Sequence, residues 1–131
     1  MEESVAEGFR HLLRLRDDWR SGANRFEGEG EGLWIAECAG RVTAVCGLNR
    51  DPFAADPGVG RLRRLYVARS ERSRGLGRRL VSTILAHAEG TFREVRLWAD
   101  DAEAEAFFRA LGFERSEGLP EATHRLRLAA R

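Results

Sequence analysis

A run of arginines and glycines in the middle of the chain has the residue types of a phosphate-binding turn. It reads Arg72-Ser73-Arg74-Gly75-Leu76-Gly77-Arg78-Arg79 and stands just before a predicted helix. Gly75 and Gly77 let the backbone approach a ligand closely, because neither carries a side chain. The first turn of a helix leaves amide donors unpaired, and the helix dipole adds partial positive charge there. The segment therefore predicts an anion site.

The charge distribution supports this prediction. From Arg61 to Arg79 there are eight arginines and one acidic residue, so 8 − 1 gives a local charge of +7. The whole chain carries +1, which leaves 1 − 7 = −6 for the rest. Arg72, Arg74 and Arg78 offer fork-shaped donors suited to phosphate oxygens. Such a polarised charge favours a polyanionic ligand on one face.

The elements that position this turn follow from the spacing of apolar residues. Apolar residues at helical spacing predict a first helix over Ser4–Arg20, and glycines make residues 28–32 a loop. The rest of the chain is predicted to form strands near 33–38, 42–48, 62–67, 95–99, 113–116 and 123–128, with helices from 75 to 90 and from 104 to 111. Helices and strands in this order indicate a mixed α/β (α+β) fold.

Length and composition favour one domain over residues 1–131, since 131 residues with 43% apolar content can build one core. No apolar run approaches a membrane span and the N-terminus lacks the charged-then-apolar order of a signal peptide, so we expect a cytoplasmic protein without a membrane partner. Cys38 and Cys46 lack companions at ligand spacing and are expected to be small buried residues, with no metal site.

Two separate blocks resemble one known family. Leu65-Tyr66-Val67, four residues, and then Arg72 to Gly77 are similar to the acetyl-coenzyme A signature of the GNAT N-acetyltransferase superfamily. Leu111-Gly112-Phe113 resembles the end of that family's later helix. The resemblance covers residues 33–128 and implies a central, mostly antiparallel sheet with flanking helices.

The resemblance implies acetyl-coenzyme A as the cofactor. The turn from Arg72 to Arg78 would hold its pyrophosphate, and the strand at Tyr66-Val67 would splay from its neighbour and bind the pantetheine arm. The backbone amide of Val67 would polarise the thioester carbonyl. The cofactor-binding residues implied are Leu65, Tyr66, Val67, Arg72, Ser73, Arg74, Gly75, Leu76, Gly77, Arg78, Asp101 and Phe108.

The chain departs from the family pattern at the usual acid. Phe108 stands where the family commonly has a tyrosine that protonates the leaving thiolate, and Asp101 stands where it often has an asparagine. A thiol is a fair leaving group even unprotonated, so this loss weakens catalysis without abolishing it. Tyr66, Ser116 and His124 are the alternative proton donors.

The general base is open among three residues. Glu37, Asp51 and His124 are candidates, because an ammonium must lose a proton before its nitrogen can attack. Each also has a plain structural interpretation: an exposed acid at a strand end, a turn residue before a proline, and a histidine held in a terminal strand. From the resemblance, Asn49, Arg50 and Asp51 are expected to line the acceptor pocket.

The region before Leu33 is short for this family. Its members usually begin with a strand and two helices, whereas only one helix is predicted here. Without a first strand, the strand Leu33 to Cys38 would have an unpaired edge, which tends to recruit another chain. We therefore predict a homodimer that covers this edge or swaps an element.

The function predicted from these residues is N-acetyl transfer from acetyl-coenzyme A to a primary amine, on a small molecule or a protein, by direct attack. The alternative is a non-catalytic acetyl-coenzyme A sensor or regulatory module, which Phe108 makes plausible. A nucleic-acid surface is disfavoured because Tyr66 is the single aromatic residue among the arginines from Arg61 to Arg79, and stacking of successive bases needs several.

Overall fold

A computed structural model describes residues 12–16, 30–38, 40–68 and 75–128. In chain order the elements are β1 (Leu12–Arg16), β2 (Gly32–Cys38), β3 (Arg41–Arg50), β4 (Val59–Val67), α1 (Leu76–Ala88), β5 (Glu94–Leu97), α2 (Ala102–Ala110), β6 (Glu114–Arg115) and β7 (His124–Arg127).

Within this part of the chain the strands form one seven-stranded sheet in the order β1-β2-β3-β4-β5-β7-β6. Every neighbouring pair is antiparallel except β4 and β5, which run parallel. The crossover between these two strands is α1, as a parallel pair requires. The prediction of a mixed, mostly antiparallel sheet with flanking helices is confirmed.

The core lies between one face of the sheet and the two helices. Leu80, Ile84 and Ala88 recur every four residues along α1 and are fully buried. They pack in one cluster with sheet residues such as Leu62 and Val95. This stripe is the apolar periodicity that predicted the helix, and its burial fixes α1 against the sheet.

The prediction of a first helix over Ser4–Arg20 is wrong at Leu12–Arg16, which form strand β1. This strand pairs antiparallel with β2, and Leu13 lies opposite Ala36. The sequence Leu-Leu-Arg-Leu-Arg fits an alternating strand pattern as well as a helical one, and pairing with β2 decides between them. The rest of the predicted helix lies outside the described residues.

The presence of β1 also corrects the prediction that the first strand is missing. All of β1 pairs with the outer edge of β2, along the stretch from Leu33 to Glu37. The unpaired edge that suggested a homodimer therefore does not exist, and the reason for expecting that dimer is removed. Neither helix of the described chain is long and apolar enough to cross a membrane.

The buried thiol of Cys46 is expected to make the free energy of unfolding depend on pH. Burial raises the pKa of its thiol to about 12, from an ordinary 9.0. Because the folded state favours the neutral thiol, this stabilisation is complete below pH 9 and is lost as pH rises towards 12. We expect the free energy of unfolding to fall by up to about 1.4 kcal/mol per pH unit in that window. Urea unfolding at several pH values measures it.

Cys46→Val is the matched control, since valine is apolar and carries no proton. Its stability should fall less steeply above pH 9 than that of the wild type. The comparison is clean because the chain contains no lysine and a single tyrosine. Equal slopes for the two proteins would contradict a buried, neutral thiol.

Candidate functional site

Strands β4 and β5 separate part of the way along the sheet. They pair only where Val59, Gly60 and Arg61 lie beside Glu94, Val95 and Arg96. Beyond Arg61, β4 continues to Val67 along its other neighbour, β3. A gap therefore opens between β4 and β5, with Arg61 and Arg96 at its vertex.

A β-bulge in β4 accompanies this gap. Tyr66 lies opposite Val45, whereas Arg63 lies opposite Gly47, so β4 has one residue more than β3 in this stretch. A bulge bends its strand and increases the local twist, which turns β4 away from β5. The Ala68 amide donates to β3 (2.7 Å to the Thr43 oxygen). By alternation, the Val67 amide is directed towards the gap.

The N-terminus of α1 lies beside the gap. Gly75 is the N-cap, with φ +82° and ψ 3°, and no side chain caps the helix. The first turn contains no acidic residue. The Arg79 amide donates to the Gly75 oxygen at 3.0 Å, so the amides before it precede the intrahelical ladder. This helix end has the donors and the charge that an anion requires.

A cavity of about 670 Å³ joins the gap to this helix end. Its volume is in the range of ligand sites. Its lining residues are Leu65, Tyr66, Val67, Gly75, Gly77, Arg78, Asp101, Glu103, Ala104, Phe107, Phe108 and Ala110. The cavity therefore brings together residues from β4, α1 and α2 that lie far apart in the sequence.

Eight of the twelve predicted cofactor residues line this cavity: Leu65, Tyr66, Val67, Gly75, Gly77, Arg78, Asp101 and Phe108. Leu76 instead packs in the core with 3% of its surface exposed. Arg72, Ser73 and Arg74 lie outside the described residues. Sequence reasoning missed Glu103, Ala104, Phe107 and Ala110, although Ala104 and Phe107 belong to the apolar stripe that predicted α2.

Gly77 allows α1 to approach β4 closely. A Cβ atom at this position would lie 3.2 Å from Val67 Cγ2 and 3.5 Å from Phe107 Cζ. We expect Gly77→Val to force α1 away from β4, which destabilises the fold by about 1–3 kcal/mol, as overpacking does. Adding Val67→Ala should recover part of that loss, because it removes the methyl group in contact. Urea unfolding of the two single variants and the double variant measures the coupling.

Asp101 and Phe108, the two positions at which the sequence departs from the family pattern, have defined contacts at the start of α2 and within it. Asp101 is the N-cap, and its Oδ1 accepts from the Ala104 amide at 2.7 Å. Phe108 is 7% exposed and meets Phe107 and Phe113 edge to face, with ring centroids 4.9 and 5.5 Å away. Both residues therefore shape the cavity wall by fixing the position of α2.

Five residues were predicted as proton donors or bases: Glu37, Asp51, Tyr66, Ser116 and His124. The cavity lining includes Tyr66 alone, which is 52% exposed. His124 is fully buried on the helix side of the sheet, where Thr123 Oγ1 is 2.7 Å from Nδ1 and Glu105 Oε2 is 3.5 Å from Nε2. Glu37 is partly buried in β2, with β3 between it and β4. Neither residue lines the cavity.

The predicted acceptor residues lie at the end of β3, beside the vertex of the gap. Asn49 lies opposite Arg61, and Asp51 Oδ2 is 3.6 Å from Arg61 Nη1. Asn49 and Asp51 are buried, whereas Arg50 is exposed and its amide donates to Glu31 Oε2 at 2.7 Å. The structure thus brings Asn49 and Asp51 to a buried arginine that the sequence did not single out.

Comparisons with known proteins agree with this architecture. The sequence profile of the Acetyltransferase (GNAT) family matches residues 2–113. The chain therefore belongs to the GNAT acetyltransferase family, whose cofactor is acetyl-coenzyme A. No curated protein matches the sequence.

Solved structures share the fold at low sequence identity. A candidate acetyltransferase from Exiguobacterium sp. 255-15 is 24% identical, with 89% of this chain and 93% of that chain covered and a TM-score of 0.76. A GNAT family N-acetyltransferase (YhbS) from Escherichia coli, crystallised with CoA, is 21% identical over 92% and 82% of the two chains, with a TM-score of 0.64. The ribosomal-protein-alanine N-acetyltransferase from Brucella melitensis is 23% identical over 76% and 70%, with a TM-score of 0.63.

Proposed function

We propose that this protein transfers an acetyl group from acetyl-coenzyme A directly to a primary amine, with both bound at once. The observation that carries the proposal is the gap between β4 and β5, continuous with a cavity that ends at the N-terminus of α1. The gap can admit a narrow, extended arm, and the helix end can hold a diphosphate. The Brucella neighbour, named for acetylation of an alanine, supports an amine as acceptor.

The residues present fit the cofactor. The first-turn amides of α1 and the exposed guanidinium of Arg78 would hold the diphosphate. The backbone of Leu65 to Val67, at the rim of the gap, would pair with the pantetheine amides. When bound, acetyl-coenzyme A supplies an acetyl thioester, whose C–S bond is exchanged for a C–N bond to the amine with release of a thiol.

Two side chains of the protein would then transfer the protons of the reaction. Asp51 lies beside the vertex of the gap and would accept the proton that the incoming ammonium must lose. Tyr66 lines the cavity and would donate a proton to the departing sulfur. Cys46 would form no acyl intermediate, because burial raises the pKa of its thiol to about 12 and keeps it neutral.

Thiol release from acetyl-coenzyme A, measured with a panel of primary amines, tests the proposal. Turnover that requires an amine is the expected result. The alternative function, a regulatory module that binds acetyl-coenzyme A without turnover, draws support from Phe108 at the family's usual acid position. Tight cofactor binding with no turnover on any amine would favour that module and contradict the transferase.

A further inference from the structure

Three arginines lie side by side across the sheet at the vertex of the gap. Arg61 on β4 lies beside Arg96 on β5, and Arg96 lies opposite Arg125 on β7. Asn49 on β3 extends the line, because it lies opposite Arg61. Residues paired in this way point to the same face of the sheet. We call Arg61, Arg96 and Arg125 the arginine row.

The row faces away from the two helices. Leu62, Val95 and Leu126 pack into the core beneath α1 and α2. Since successive strand residues alternate between faces, the neighbouring arginines point to the opposite side. The row therefore lies at the vertex of the gap, on the face of the sheet opposite the helices.

The charges of the row are incompletely matched. Asp51 Oδ2 is 3.6 Å from Arg61 Nη1, and Glu94 Oε2 accepts from Arg96 Nε at 2.7 Å. Within the described chain no carboxylate forms an ion pair with Arg125. Like charges placed directly across a sheet are unfavourable. Asp51 and Glu94 each contact one arginine of the row, whereas Arg125 has only the exposed Glu114 opposite it on β6, without an ion pair between them. The row thus favours one further negative charge.

Unpaired hydrogen-bonding atoms locate that charge. Arg61 is only 8% exposed, and its Nη1 has no hydrogen-bond partner among the described residues; the same is true of the buried Arg125 Nε. Arginine can only donate, so these atoms require an acceptor such as a carboxylate oxygen. The Arg61 side chain is held in place, since its Nη2 donates to the backbone carbonyl oxygen of Glu121 and its guanidinium carbon lies 5.0 Å from the centre of the Phe53 ring.

Two acceptor atoms beside Arg61 also lack a hydrogen bond. Asn49 Oδ1 and Asp51 Oδ2 are buried and accept no hydrogen bond from the described residues, and the contact of Asp51 Oδ2 with Arg61 Nη1 is a long ion pair of 3.6 Å. Buried polar atoms without partners are costly, so the cluster is suited to a ligand that supplies both donors and acceptors. An ammonium and a carboxylate on one small molecule satisfy both sets.

We infer that the acceptor is a small amine that carries a carboxylate, such as an amino acid. Its carboxylate binds the arginine row, and its amine lies at Asn49 and Asp51. This inference rests on the proposed function, because it names the substrate class of the same transfer. It also gives the three arginines in adjacent register positions a common ligand.

Thiol release with L-amino acids and their matching carboxamides tests this inference. We expect kcat/KM for at least one amino acid to exceed that of its amide by more than about tenfold, because a site built for a polar group rejects the analogue without it. Arg125→Gln should abolish this preference and leave the KM for acetyl-coenzyme A unchanged. Arg115→Gln is the matched control and should keep the preference, because Arg115 is an exposed arginine of the adjacent strand β6 that lies opposite His124, on the helix side of the sheet. Arg125→Met replaces Arg125→Gln if the latter fails to fold.

The outcomes separate this inference from the proposed function. Amides turned over as well as their acids would overturn the carboxylate inference while the transferase stands. If no amine is turned over, the proposed function fails. The carboxylate inference is then tested by calorimetric titration of amino acids and their amides into the protein saturated with coenzyme A. Tighter binding of amino acids than of their amides by the wild type, with no such difference in Arg125→Gln, would support the row as a carboxylate site. Equal binding or none would overturn it.

Discussion

Gly75→Val is expected to lower the affinity for coenzyme A by about a hundredfold, because two charge-assisted hydrogen bonds to phosphate would be lost. Gly75 has φ +82°, a conformation that a β-branched residue rarely adopts. Among the described residues no heavy atom lies within 4 Å of a Cβ placed there, so the substitution causes no clash with them. Its side chain would instead occupy the space beside the first-turn amides, where the diphosphate is proposed to bind. Calorimetric titration with coenzyme A measures the change.

Gly40→Val is a matched control for this substitution. Gly40 has φ +81°, and again nothing lies within 4 Å of a Cβ atom. It stands in the turn between β2 and β3, away from the cavity. Both variants should therefore lose similar stability from backbone strain, of about 1–2 kcal/mol. Gly40→Val should bind coenzyme A like the wild type, and normal binding by Gly75→Val would contradict a diphosphate site at this turn.

The helices and central strands were predictable because their signals are local. The stripe of apolar residues on α1 repeats every four positions, and burial of that stripe is what the structure shows. Strand β1 was not predictable in the same way, because Leu12–Arg16 satisfies two periodicities at once. Only pairing with β2, a contact between residues far apart in the chain, selects the strand over the helix.

The same contrast between local signals and long-range pairing applies to the two halves of the candidate site, the turn at the start of α1 and the arginine row. The half that we propose binds the cofactor could be located from the sequence, because Gly75 to Arg78 is one continuous segment whose chemistry follows from its residue types and whose members line the cavity at Gly75, Gly77 and Arg78. The arginine row could not, since its members come from three strands and each alone resembles a solvated surface residue. Register brings them together, and register is set by the whole sheet.

Tyr66→Phe is expected to lower kcat by about a hundredfold, the lower end of what general acid catalysis contributes. Tyr66 is the only tyrosine of the chain and lies in the cavity wall at the rim of the gap. Loss of its hydroxyl removes the proposed proton donor to the departing sulfur without changing the shape of the ring. The KM for acetyl-coenzyme A should therefore stay within about twofold, because the substitution alters transition-state interactions more than binding. Steady-state kinetics of thiol release provide both parameters.

A second substitution asks whether the proton donor can be moved. Phe108 lines the same cavity and occupies the position at which the family commonly has its acid. Adding Phe108→Tyr to Tyr66→Phe should restore part of kcat, because a hydroxyl again borders the cavity. Trp98→Phe, which alters another exposed aromatic residue and leaves Tyr66 intact, should have little effect. An unchanged kcat in Tyr66→Phe would show that the thiolate departs without protonation by this residue. A loss that Phe108→Tyr does not recover would show that the position of the hydroxyl, and not its presence alone, controls the reaction.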